Sequence, residues 1–139
     1  MNRTEFQLLA ETRISEAHAL LTLGSPMPSG AYYLAGYAVE CALKACIAKR
    51  VNQYDYPDKQ LANDSYTHDI EKLVRVAGLD AERSADIAVT AIFGQNWNIV
   101  KDWNEKARYA QHSQLEAQKL YDAITDATNG VLPWIKARW

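Results

Sequence analysis

The stretch AYYLAGYAVECALKACIA, Ala31–Ala48, decides the fold class. It is apolar nearly all round, and only Glu40 and Lys44 carry charge. Such a helix has no polar face to turn to water, so other helices must surround it. It is expected at the centre of a bundle. Glu40 and Lys44 stand four apart and share one face, acid first, which is the order helices favour. Gly36 has no side chain and offers a neighbour close approach. Ser29 is placed to cap the start. Lys49 and Arg50 complement the dipole at the other end.

Working towards the N-terminus, Phe6, Leu9, Ala10, Ala17, Leu20 and Leu21 recur at spacings that give one apolar helical face. Gly24-Ser25-Pro26, followed by Pro28 and Gly30, stops that helix. In the other direction, residues 52–66 (NQYDYPDKQLANDSY) are polar, contain Pro57 and read as a surface loop. Thr67 is expected to cap a short helix with Ile70, Leu73, Val74 and Ala77 inward, ended by Gly78. Asp80 caps a fourth, carrying Ile87, Val89, Ile92 and Phe93 and ending near Gly94. Residues 95–112 (QNWNIVKDWNEKARYAQH) are aromatic, polar and weakly periodic. Ser113 and Glu116 make a Ser-x-x-Glu capping box. The last helix then turns Ala117, Leu120, Tyr121, Ile124, Thr128 and Val131 inward. Asn129-Gly130 and Pro133 either stop it or kink it. No strand-like alternation occurs. The expectation is an all-α fold: an up-and-down antiparallel helical bundle of about five helices, one domain over residues 1–139.

The 48% hydrophobic content supplies a sizeable core. Fifteen Lys and Arg face seventeen Asp and Glu, a net charge of −2, so nucleic-acid binding by bulk charge is not indicated, while a local basic site is left open. Cys41 and Cys46, five apart on one helix, would sit about 7–8 Å apart along its axis, too far for an unstrained disulfide. They read as buried thiols in a reducing compartment. The start, MNRTEFQLLAETRISEA, is amphipathic and acidic, unlike a signal peptide. No apolar run reaches the roughly 18 residues of a membrane span. A cytoplasmic protein without membrane contact is expected.

The segment Ala31–Ala45, with an aromatic, a small and an apolar residue, then Glu40 and Leu43-Lys44, resembles the central-helix signature of the HEPN family. His68, Ile70 and Leu73 are similar to that family's short His-x-Leu-x-x-Leu helix. Trp103 and Arg108-Tyr109 are similar to its Trp…Arg-Tyr motif, with Lys106 where acidic residues are common. The resemblance covers about residues 3–136. It implies a helical bundle, often dimeric, that binds nucleotide or RNA. It also implies pairing with a small nucleotidyltransferase in a toxin–antitoxin or defence system. Many members are ribonucleases with an Arg–His motif. Here three residues separate Arg108 from His112, a shorter spacing than that motif has.

Metal-independent RNA cleavage needs proton transfer and stabilisation of phosphorane charge. Histidine supplies the first near neutral pH and arginine the second, through its two-toothed fork. Arg108 and His112 are therefore the catalytic candidates; the structural alternative is an ion-paired Arg108 and a solvated His112 ahead of the helix. Glu40, Lys44, Trp103, Arg108 and Tyr109 are the ligand-binding candidates. Glu40 and Lys44 form either an internal ion pair or a pair in which Glu40 orients Arg108 or Tyr109. Tyr32, Tyr33, Tyr37, Trp97, Trp103 and Tyr109 could stack on bases, although aromatics at helical spacing are more often core. Trp97 and Trp103 have the polar surroundings that suit stacking. His18 and His68 have no partner at metal-ligand spacing, so no metal and no cofactor are expected. The segment Trp103–His112 is expected to fold back over the central helix and bring Glu40, Arg108, Tyr109 and His112 to one cleft. Three functions follow: a homodimeric binding module for nucleotide, RNA or a nucleotidyltransferase partner; a metal-independent endoribonuclease toxin using Arg108 and His112; or a structural dimer subunit.

Overall fold

A computed structural model describes residues 1–51, 55–56 and 58–139. Among the described residues all regular structure is helical. The α-helices are α1 (Arg3–Thr22), α2 (Pro28–Lys49), α3 (Lys59–Ser65), α4 (Ile70–Val76), α5 (Asp80–Val89), α6 (Ala91–Val100), α7 (Gln114–Thr125) and α8 (Val131–Lys136), with a 3-10 turn at Glu105–Tyr109. Among them no helix is long and apolar enough to cross a membrane.

The all-round apolar stretch is central, as its composition requires. Twelve residues of α2 are buried, Glu40 among them. α1 runs antiparallel to it. At the connecting turn Met27 N donates to Leu20 O. Midway, the Arg13 guanidinium lies over the Tyr37 ring. α1 buries Ala10, Ile14, Ala17 and Leu21, one face at spacings of four and three. On other sides of α2, Val39, Leu43 and Ile47 share a core with Ile70, Leu73 and Val74 of α4, Leu120 and Ile124 of α7, and Val131 and Ile135 of α8. Both cysteines are buried and free.

The helix count departs from five because three expected segments are broken or added to. The polar stretch 52–66 is helical over Lys59–Ser65, where the Asp58 side chain accepts from Leu61 N. Asn52, Gln53, Tyr54 and Pro57 of that stretch lie outside the described residues. The expected fourth helix breaks at Thr90, whose backbone is extended, and α6 continues to Val100. Phe93, Trp97 and Val100 face inward at spacings of four and three, so the first part of the weakly periodic stretch is an ordinary buried helix face. The last segment stops rather than kinks. Asp126 Oδ1 accepts from the backbone of Thr128 and Asn129, and Pro133 sits in the first turn of α8, where no N–H is needed. Three caps also differ. Ser29 lies inside α2, which Pro28 opens. Asp69, not Thr67, caps α4. Asp80 is the first helical residue of α5. Gly78 does end α4, at φ 74°, the left-handed region glycine favours.

Candidate functional site

Tyr32, Gly36, Glu40 and Lys44 recur every four residues and form one row along α2. The chain after α6 lies back along this row. Trp103 covers Gly36: a Cβ there would lie 2.3 Å from Cδ1, Cδ2 and Cε2 of the indole. The ring is 2% exposed and also stacks on Tyr33, centroids 6.0 Å apart. Asn104 then accepts from Lys106 N and starts the 3-10 turn, whose Ala107 is buried. Arg108 and Tyr109 turn outward. The guanidinium carbon sits 4.7 Å from the Tyr109 ring centroid, and Tyr109 is 78% exposed. Among the described residues no carboxylate pairs with Arg108.

Further along the row, His112 is pinned at three points. Its N–H donates to Ser29 Oγ at 2.9 Å. Its ring stacks on Tyr32 with centroids 3.6 Å apart and planes 10° from parallel. Its Nδ1 lies 3.0 Å from Glu116 Oε2, while Nε2 is buried without a partner among the described residues. Half of the expected capping box is therefore present, since Ser113 Oγ accepts from Glu116 N, while the Glu116 carboxylate is engaged by His112. Burial, and next the Glu116 charge, push the Tyr32 hydroxyl upward.

Glu40 is 2% exposed. A charge so deep needs close partners. Lys44 Nζ donates to its Oε1 at 2.8 Å, and His68 Nδ1 lies 2.9 Å from the same oxygen. Among the described residues Oε2 has no partner, and neither has Trp103 Nε1 one turn away over Gly36. Glu40 thus serves Lys44 and His68; no contact joins it to Arg108, Tyr109 or His112 among the described residues. The structure brings together Glu40 with Lys44, Trp103 with Gly36, and Arg108 with Tyr109, as three stations along one side of α2. Trp97 is core, 2% exposed and edge-on to Phe93 and Trp134. His68 was not among the expected site residues. Its signal was the buried acid itself, which a single lysine leaves with acceptor capacity to spare.

Elsewhere, a groove of about 320 Å³ lined by Ile14, His18, Tyr121, Leu132 and Lys136 opens between α1, α7 and α8. Its cation is already paired, Lys136 with Glu11, and His18 lies against Tyr121. Among the described residues no group of three or more His, Cys, Asp or Glu could hold a metal ion. Comparisons with protein-family models, curated proteins and solved structures return no match.

Proposed function

We propose that this chain is a HEPN-like, up-and-down helical protein that binds a nucleotide or RNA at the Trp103–His112 segment. The observation that carries this is the Arg108–Tyr109 pair. Trp103 and Ala107 anchor the segment, while a guanidinium stacked on an exposed phenol faces outward. Arginine matches two phosphate oxygens at once and an exposed aromatic face accepts a base, so the pair suits one nucleotide. The net charge of −2 agrees with a local site rather than a broad basic surface. In this reading the protein is cytoplasmic and acts as a homodimer with a nucleotidyltransferase partner in a toxin–antitoxin or defence system. Exposed apolar side chains on α5 and α6, Val89 at 82%, Ile92 at 55% and Ile99 at 41%, support association with a second copy.

The geometry favours binding over cleavage. An endoribonuclease using Arg108 and His112 needs both at one phosphate, yet His112 is stacked on Tyr32 with Nε2 buried. The test is fluorescence anisotropy with a labelled mixed-sequence oligoribonucleotide. Arg108→Ala should weaken binding by about 10–100-fold, the worth of a hydrogen bond to a charged group, with helicity unchanged. Arg108→Lys should recover part of it. Wild-type affinity in Arg108→Ala would refute the proposal. Incubation with RNA in EDTA addresses the enzyme: cleavage lost in His112→Ala with binding retained would favour the ribonuclease.

A further inference from the structure

The Glu40–His68 contact carries more than packing. Oε1 of Glu40 already accepts from the Lys44 ammonium across an ion pair, and a carboxylate only accepts. The imidazole nitrogen 2.9 Å away therefore carries a hydrogen: His68 donates through Nδ1–H. A neutral imidazole has one N–H, so the lone pair is left on Nε2. The side chain of His68 is 50% exposed while that of Glu40 is 2% exposed, so the buried acid fixes the ring and the open edge remains accessible. Among the described residues Nε2 has no partner. This is the arrangement by which a carboxylate behind a histidine selects its tautomer and orients its free nitrogen. A second feature marks the place as more than a structural pin. Glu40 Oε2 is buried without a partner among the described residues, although a purely structural acid would be expected to have both oxygens satisfied.

We propose that His68 is a ligand-binding residue whose Nε2 accepts a hydrogen bond from a ribose hydroxyl. The inference rests on the reading of a nucleotide or RNA ligand and extends it to a second point of contact. The choice of group follows from charge. Glu40 and Lys44 cancel, and the ring in its neutral form, with Nδ1–H turned to Glu40, offers the lone pair on Nε2. A phosphate oxygen carries lone pairs of its own and is better served by Arg108. A hydroxyl supplies the hydrogen that Nε2 needs, and ribose presents one at every nucleotide whatever the base. His68 would thus help the protein tell RNA from DNA.

The test is long-range proton–nitrogen NMR of the imidazole rings in the full chain. The protein has only three histidines, so the His68→Asn variant assigns the signals. Asparagine also keeps a donor near the Nδ1 position while removing Nε2. Without ligand, His68 should be the Nδ1–H tautomer; an Nε2–H tautomer overturns the inference. On adding an oligoribonucleotide the His68 signals should shift, and the deoxy oligomer of the same sequence should leave them in place. Equal shifts with both oligomers would mean that a base amine is the donor and would overturn the hydroxyl assignment. Oligoribonucleotide binding that Arg108→Ala weakens, with His68 signals unmoved, overturns the role of His68 and leaves the proposed function standing. No binding of either oligomer overturns both.

Discussion

Gly36→Ala is the sharpest test of how the site is built. On an isolated helix alanine is favoured over glycine by about 1 kcal/mol, so a surface position would gain stability. Here the new methyl would lie 2.3 Å from three carbons of the Trp103 indole. Ordinary carbon contact is about 3.5–4.0 Å, so the ring must retreat by roughly 1.5 Å. It has little room to do so: it is 2% exposed and Tyr33 stacks on it, and packed interiors do not yield by that distance. Expulsion forfeits most of what burying a tryptophan contributes, about 3–5 kcal/mol for truncation to alanine. Setting the helix gain against this leaves a net loss of about 2–4 kcal/mol. Urea denaturation followed by circular dichroism reads it. The decisive comparison repeats Gly36→Ala in a Trp103→Ala background, where the indole clash is gone and the change should stabilise by up to about 1 kcal/mol. A stabilising effect in the wild-type background, or an equal penalty in both, would refute the seating of Trp103 on Gly36. The tryptophan variant should also weaken oligoribonucleotide binding, because Trp103 holds the segment that presents Arg108.

Leu43→Ala, at a position with no exposed surface, should cost about 2–5 kcal/mol in urea denaturation; an unmoved midpoint would place Leu43 outside the core. Burial pushes the Cys41 thiol up to about 12 and the Cys46 thiol up to about 11. Both should resist a thiol reagent at pH 8 until the chain is unfolded. Because these values are raised from 9.0, the associated stability is fully present below pH 9 and lost as pH rises towards 11 and 12. Stability of wild type and of Cys41→Ala with Cys46→Ala, measured from pH 8 to 11, should fall less steeply in the variant; parallel curves would show that the thiols are not the cause. Light scattering should give twice the chain mass, and Ile92→Glu on the exposed side of α6 should return it to the monomer; monomer mass for wild type over a wide concentration range would remove the dimer.

What could be read from the sequence was what one local pattern determines. All-round apolarity put α2 in the centre, the Ala10–Leu21 spacing gave the buried side of α1, and the missing side chain at Gly36 signalled a close neighbour. The breaks were less legible because competing local signals decided them. Thr90 interrupts a continuous apolar periodicity through its own extended backbone, and Asp126 stops α7 by accepting from the amides of Thr128 and Asn129. A long-range choice of partner was not legible at all. Glu40 plainly needed donors, and Arg108, Lys44 and His68 were all chemically suitable. The selection is made by where rigid pieces bring them. Trp103 takes the turn of α2 at Gly36, and the short 3-10 turn after it directs Arg108 outward. The next station of the row is then filled by His68, two residues ahead of α4, whose Ile70, Leu73 and Val74 are fixed in the core. His68 reaches Glu40 because α4 is seated there, whereas Arg108, carried by the 3-10 turn, lies over the exposed Tyr109 ring. With Glu40 paired to Lys44 and His68, Arg108 has no carboxylate partner among the described residues, which is what the proposed phosphate contact requires.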